Sequence, residues 1–278
     1  YQVWEIPPNG QGLVALIALN ILKGFDFGEK DTLETYHKQL EAIKLAFADG
    51  QKYITDQREM NVKVEELLSD SYAAERRKLI GKEALKPEPG TPPKGGTVYL
   101  ATADNQGNMV SFIQSNYMGF GSGIVVPETG IALQNRGRNF SLNPDDANCL
   151  KPGKRTYHTI IPGFLTKDNH AIGPFGVMGG FMQPQGHLQL IMNTIDFGLN
   201  PQAALDAPRW QWIEDKKIYL EHNFPSDIAK LLNDSGHKIN IALDSGSFGR
   251  GQIIWKCSKT GVYFGGTEAR TDGHIACW

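Results

Sequence analysis

The junction at Gly95-Gly96-Thr97 holds the residues best suited to chemistry: a pair of small, permissive residues delivers a Thr onto a run of strand formers, Val98 to Ala103. A Thr released from the peptide bond before it carries both parts of a nucleophile. Its hydroxyl attacks, and its own α-amine, with a pKa near ~8, takes the proton, so no separate His is required. The same hydroxyl can attack the preceding carbonyl to free itself, and glycines there tolerate the strained backbone which that attack needs. Residue type alone favours a plainer alternative, a β-prone Thr that opens a strand. The sequence contains no H-E-x-x-H, C-x-x-C, G-x-S-x-G or phosphate loop ending in Gly-Lys-Ser/Thr. Gly119-Phe120-Gly121-Ser122-Gly123 has no helix-forming segment after it and makes a poor phosphate cradle. Cys149, Cys257 and Cys277 are odd in number and widely spaced, so they read as unpaired thiols, and neither a metal nor a cofactor is expected.

The elements around that junction follow from periodicity. Tyr1 to Ile6 alternates as a strand, and Leu13 to Leu22 reads as a buried helix that Gly24 ends. Asp31 with Glu34 forms a capping signature, after which Leu33, Tyr36, Leu40, Ile43 and Phe47 recur at helical spacing. A third helix is predicted over Val64 to Ile80. Prolines and glycines from Lys82 to Gly96 exclude helix and central strand and mark an exposed linker. Beyond Thr97 the reading is mostly strand: Val98 to Ala103 and Met109 to Gln114 flank turn residues 104–108. Short strands follow at Ile124 to Val126, Ile131 to Gln134 and Thr159 to Phe164, with a hairpin from Gly251 to Gly265. Helices are predicted at Gln185 to Phe197 and Asp227 to Asp234, the latter capped at Pro225-Ser226. The fold class is α+β, with helices outside paired sheets.

Totals limit the functional classes. Among 278 residues, 28 basic and 30 acidic side chains are interspersed for a net charge of -2, so no footprint for nucleic acid is visible. The longest apolar stretch, Leu13 to Leu22, is interrupted by Asn20 and falls short of the ~20 residues a membrane span requires. Since the chain opens on Tyr1, an upstream part is expected, carrying any secretion signal; the compartment, cytoplasmic or secreted and periplasmic, stays open.

Order and spacing across nearly the whole chain resemble the γ-glutamyltranspeptidase family of N-terminal nucleophile hydrolases. The likeness runs from Gly96-Thr97-Val98-Tyr99 through Asp104, Gly107-Asn108, Val110-Ser111, Gly121-Ser122-Gly123 and Leu133-Gln134-Asn135. It continues in Pro152-Gly153-Lys154-Arg155, Gly179-Gly180, Ala207-Pro208-Arg209 and Gly265-Gly266-Thr267-Glu268-Ala269-Arg270. The resemblance implies a four-layer αββα sandwich completed by an upstream segment. It implies that residues 1–96 end a large-subunit region whose processing linker spans 82–96, and that residues 97–278 form the small subunit. Cleavage would fall between Gly96 and Thr97, with Thr97 as nucleophile, Ser115 as the hydroxyl beside it and Gly179 and Gly180 as the oxyanion hole.

The substrate-binding positions depart from the transpeptidase pattern and read Tyr117, Arg136, Asn139, His158 and Thr159, although a one-residue gap would put Asn116 in the place of Tyr117. Losing an acidic group and gaining an Arg favours a carboxylate over an α-ammonium. Gln134-Asn135-Arg136-Gly137 with Tyr157-His158-Thr159 is similar to the cephalosporin acylase-like branch, which hydrolyses amides of dicarboxylic acids. His158 also reads as a packed strand residue. The expected function is a self-processing amidohydrolase or acyltransferase acting on a small γ-glutamyl or glutaryl-type amide through a Thr acyl-enzyme. The alternative is a silent, unprocessed relative acting as a binding or structural protein. The expected partner is the upstream large-subunit segment, and further oligomerisation is left open.

Overall fold

A computed structural model describes residues 1–87 and 96–278, so the part of the predicted linker from 88 to 95 lies outside the described residues. Among the described residues there are strands β1 (Gln2–Trp4), β2 (Gly96–Ala103), β3 (Met109–Tyr117), β4 (Gly163–Lys167), β5 (His170–Met178), β6 (Trp210–Glu214), β7 (Lys217–Glu221), β8 (Lys238–Ala242), β9 (Arg250–Lys256) and β10 (Tyr263–Thr267). The seven α-helices are α1 (Gly12–Leu22), α2 (Leu33–Tyr53), α3 (Val64–Leu67), α4 (Asp70–Arg77), α5 (Met182–Ile191), α6 (Pro201–Asp206) and α7 (Ser226–Asp234).

The main sheet is antiparallel throughout, in the order β1-β4-β5-β9-β10. Helix α5 lies on β5, α1 packs on α5, and α2 packs on α1. On the sheet's other face lies the β2–β3 hairpin, whose strands contact β5 and β9. Helices, sheet and second sheet thus stack in the order of the αββα sandwich. A third sheet, β6-β7-β8, borders α2 and α5 through β6. Apolar side chains seal these layers: Leu165, Phe175, Val177 and Ile253 meet Leu190 and Ile191 of α5 and Leu205 of α6. The hairpin seats on the sheet because β5 offers it a glycine. A Cβ at Gly176 would sit 2.4 Å from the Tyr99 ring, so only hydrogen fits there.

Several boundaries differ from the sequence reading for local reasons. The N-cap of α2 is Thr32, whose hydroxyl accepts from Thr35 N–H, while Asp31 instead accepts from the Tyr36 hydroxyl at 2.6 Å. The third predicted helix is broken into α3 and α4, because the Ser69 hydroxyl accepts from Tyr72 N–H and starts a new helix. Pro225 caps α7 without a side-chain hydrogen bond. The predicted exposed linker is docked over its first part: Ala84 is buried, and its N–H donates to Ser235 O at 2.8 Å. Val125 and Ala132 make one isolated bridge in place of two strands, and 159–162 precede β4 as irregular chain. None of the helices among the described residues is long and apolar enough to cross a membrane.

Candidate active site

Thr97 stands at an irregularity in the hairpin. Gly96 pairs with Tyr117 and Val98 with Gln114, so the ladder shifts register across Thr97. A bulge of this kind re-aims side chains. Here the Thr97 hydroxyl donates to Ser115 Oγ at 3.1 Å, with Thr97 only 9% exposed. Ser115 Oγ also accepts from Tyr117 N–H at 2.9 Å, a contact made by a Tyr held at φ 76°, a region that side-chain-bearing residues rarely occupy.

Behind this pair lies a buried cation. Arg136 opens a short 3-10 turn, Arg136–Asn139, and is 1% exposed. Its Nη1 donates to Ser115 O at 3.0 Å, its Nε donates to Thr159 Oγ1 at 3.2 Å, and the guanidinium lies 5.4 Å from the centre of the Tyr117 ring. Nη2 is buried with no hydrogen-bond partner among the described residues. Removal from water pulls the Arg136 pKa down to about 10. The Tyr117 hydroxyl donates to Asn139 Oδ1 at 2.9 Å, and Asn139 Nδ2 donates to Tyr157 O at 3.0 Å. Burial, followed by the nearby Arg136 charge, pushes His158 down to about 4, so its imidazole is neutral at pH 7. Its Nδ1 accepts from Ile160 N–H at 3.3 Å, which leaves the ring proton on Nε2. His158 is therefore partly a packed residue, with its main chain bonded to Asn9 and Gln11.

The glycine pair leads into α5. Gly179 and Gly180 take φ 138° and 62°, and their carbonyls accept from Met182 and Gln183. Gly179 also backs onto Gly249, whose Cα is 3.1 Å from where a Cβ on Gly179 would stand. One residue that the sequence reading did not single out ties the two halves of the cluster together. Gln11, fully buried, donates through Nε2 to Thr159 O at 2.6 Å and to Gly180 O at 2.8 Å. The structure thus links Thr97, Ser115, Tyr117, Arg136, Asn139 and Thr159 by direct contacts, reaches Gly180 through Gln11, and has His158 beside Thr159 in the chain without a side-chain bond to the others. The side chain in contact with Arg136 and Asn139 is that of Tyr117, not Asn116. Beside the cluster opens a cavity of about 1090 Å³, lined in part by Asn139, Tyr157, Phe181, Arg138 and Asp49.

A Thr on the first strand of a hairpin that faces a helix-backed sheet is the layout of the N-terminal nucleophile hydrolase fold. The family model for gamma-glutamyltranspeptidase matches residues 1–278, and the chain belongs to that family. It is 37% identical over 280 residues to the glutathione hydrolase-like YwrD proenzyme of Bacillus subtilis (strain 168), covering 98% of this chain and 53% of that protein. It is 36% identical to the oxamate amidohydrolase proenzyme of Klebsiella pneumoniae, covering 99% of this chain and 53% of the relative. Among solved structures, the cephalosporin acylase from Bacillus halodurans superposes with a TM-score of 0.95 at 72% identity, over 99% of this chain and 51% of that one. The chain therefore spans about half the length of the relatives it matches.

Proposed function

We propose that this chain is part of a self-processing amidohydrolase that cleaves the Gly96–Thr97 bond and then uses Thr97 to hydrolyse amides of small dicarboxylic acids. Residues 1–96 would end the large-subunit region and residues 97–278 form the small subunit. The observation that carries the reading is the Thr97–Ser115 hydrogen bond, which holds the candidate nucleophile at a strand bulge directly after Gly96. In processing, Thr97 Oγ1 attacks the Gly96 carbonyl carbon, the C–N bond breaks, and the peptide nitrogen leaves as the α-amine of Thr97. Water then hydrolyses the resulting ester and leaves a Gly96 carboxylate. In turnover the freed amine takes the hydroxyl proton, Oγ1 attacks the substrate carbonyl, and the amine leaving group departs with that proton. Water finally releases the acid from the acyl-enzyme. Backbone N–H groups at Gly179 and Gly180 are suited to the tetrahedral oxyanion; losing one such donor costs about 10²–10³ in rate.

The acyl group is assigned from Arg136. A buried guanidinium that has, among the described residues, an unused N–H and no carboxylate partner is suited to a carboxylate on the substrate. Gly96 pairs with Tyr117, so cleavage would free the chain beside Tyr117, whose ring lies against Arg136. Neutral His158 and Asn139 offer no negative charge to an α-ammonium, which supports a glutaryl-type acyl group over γ-glutamyl. Oxamate, named for one relative, is also an acid amide bearing a second carboxyl group.

Intact mass and N-terminal sequencing of the full-length protein test processing: wild type yields a fragment beginning at Thr97 and Thr97→Ala yields none. An uncleaved wild type would make the silent, unprocessed relative the better reading. Glutaryl against γ-glutamyl anilide then tests the acyl class, with glutaryl expected to be hydrolysed at least about tenfold faster, and Arg136→Met expected to abolish that preference.

A further inference from the structure

Outside the site, one dense group of buried polar side chains lies where α2, the turn before β8 and residues 81–87 meet. His37, Glu41, Lys44 and His237 are all buried. Lys44 Nζ donates to Glu41 Oε1 at 2.7 Å and to Leu85 O at 3.2 Å, and lies 3.3 Å from His237 Nδ1. His237 Nε2 is 2.9 Å from His37 Nδ1, and His37 Nε2 is 3.1 Å from Gly81 O. A carbonyl only accepts, so His37 carries its proton on Nε2 and accepts at Nδ1. His237 must then donate from Nε2 and accept Lys44 at Nδ1. The direction of the whole chain, Lys44 to His237 to His37 to Gly81, is fixed by its two ends. The three hydrogens of Lys44 are all engaged, and the second Glu41 oxygen accepts from Leu85 N–H at 3.0 Å.

His37, Glu41 and His237 also place three ligand atoms within 4.8 Å of one another, a spacing that suits a metal. A metal on His237 Nε2 would force the ring proton onto Nδ1, against the Lys44 ammonium. The cluster is built around the Lys44 charge instead.

Through this cluster the main chain of 81–87 gains polar anchors at Gly81 O, Leu85 N–H and Leu85 O, with Ala84 N–H on Ser235 O beside them and Ala84 and Leu85 packed on the core. We propose that the cluster is a clasp that fixes the upstream end of the processing linker, and that His37, Glu41, Lys44 and His237 are positioning residues for cleavage at Gly96–Thr97. The inference rests on the self-processing reading. Released from the clasp, residues 81–87 keep the Ala84–Ser235 bond and the packing of Ala84 and Leu85 but lose the bonds at Gly81 O, Leu85 N–H and Leu85 O, so the chain leading to Gly96 is held less closely.

The test follows release of the Thr97 fragment from the full-length protein in wild type, in His37→Phe and in the double variant Glu41→Gln/Lys44→Met, which removes both charges together. First-order rates are taken on the folded precursor, with melting temperatures from the Thr97→Ala background and hydrolase activity per cleaved molecule. The clasp predicts processing slowed about threefold or more while activity per cleaved molecule stays within about twofold. Folded variants that cleave at the wild-type rate overturn it. Hydrogen exchange on the Thr97→Ala precursor needs no change in the cluster: the Leu85 amide should be as protected as those of α2, and free exchange there also overturns the clasp. A wild type that never releases the fragment removes the self-processing reading and the clasp together, whereas cleavage at equal rates removes the clasp alone.

Discussion

Two of the clusters of buried polar groups in this chain, those around Lys44 and Arg136, are completed to different degrees. Around Lys44, none of the side-chain atoms of His37, Glu41, Lys44 or His237 is among the buried atoms that lack a partner, and the ammonium has a carboxylate at 2.7 Å. Around Arg136, among the described residues, the cation has no carboxylate and one nitrogen is unpartnered, and the neighbouring Tyr117 is held at φ 76°. A completed network in a low-dielectric interior rigidifies what it joins. An incomplete one beside a strained backbone retains capacity to bind something else, and strain of this kind concentrates at functional sites. The first cluster holds chain in place; the second is the one proposed above to meet a substrate carboxylate.

The contrast is broken most directly by deleting each cation. Lys44→Met leaves Glu41 buried without its partner, and losing one member of a buried ion pair costs about 3–5 kcal/mol. Arg136→Met leaves no carboxylate behind, only the Ser115 carbonyl and the Thr159 hydroxyl, and exchanging a poorly compensated buried ion for an apolar side chain is often near neutral. Denaturant unfolding of both variants in the Thr97→Ala background is expected to show the large loss for Lys44→Met and a change within about 1 kcal/mol for Arg136→Met. The reverse order would mean that Arg136 is a structural strut and that the cluster around it is not open.

The two clusters were also unequally visible in the sequence. Thr97 after its glycine pair, Ser115 and Gly179-Gly180 stand out only through the resemblance to the γ-glutamyltranspeptidase family, whereas the helical period through Leu40, Ile43 and Phe47 by itself locates α2. That period says nothing of the opposite face. His37, Glu41 and Lys44 look like a solvated stripe, yet α2 is buried on that side as well, against a His237 that lies 200 positions further along the chain. Strand β5 was missed because Gly173, Pro174 and Gly176 spoil its local pattern. Gly176 is there for the Tyr99 ring, a contact no local pattern records. Gln11 is likewise silent in sequence, since its role depends on Thr159 and Gly180 meeting at its amide.

Acid should separate the clusters by degree. Burial lowers the pKa of His37 and of His237, helped in both by Lys44 and in His237 also by His37 and Lys216, while Glu41 opposes the shift at His37. His158 is lowered to about 4 by burial and Arg136. Each folded value lies below the unfolded value of about 6.5. Above that pH neither state binds the proton and the three residues cost nothing. As pH falls below it the unfolded chain takes up protons that the folded chain refuses, and stability drops by up to about 1.4 kcal/mol per pH unit for each His. The His158 share levels off below about pH 4, and that of His237, whose pKa is lowered further still, continues downward. Urea midpoints of the Thr97→Ala protein between pH 7.5 and 4.5 should therefore fall steeply. His37→Phe should flatten that slope by roughly one proton, and an unchanged slope would mean the pair is not held neutral.

The smallest expected effect serves as the control for the clasp. Thr32 caps α2, the helix that carries His37, Glu41 and Lys44, but touches none of them. Thr32→Ala removes the acceptor for Thr35 N–H and should cost about 1 kcal/mol. Asp31→Asn should cost less, since its side chain binds Tyr36 and Lys30 at the surface without capping the helix. If stability of α2 were all that processing required, Thr32→Ala would slow release of the Thr97 fragment in proportion to its loss of folded protein and resemble a mild clasp variant. A processing rate per folded molecule equal to wild type in Thr32→Ala, set beside slowed processing in His37→Phe, assigns the effect to the hold on residues 81–87 and not to the helix beneath it.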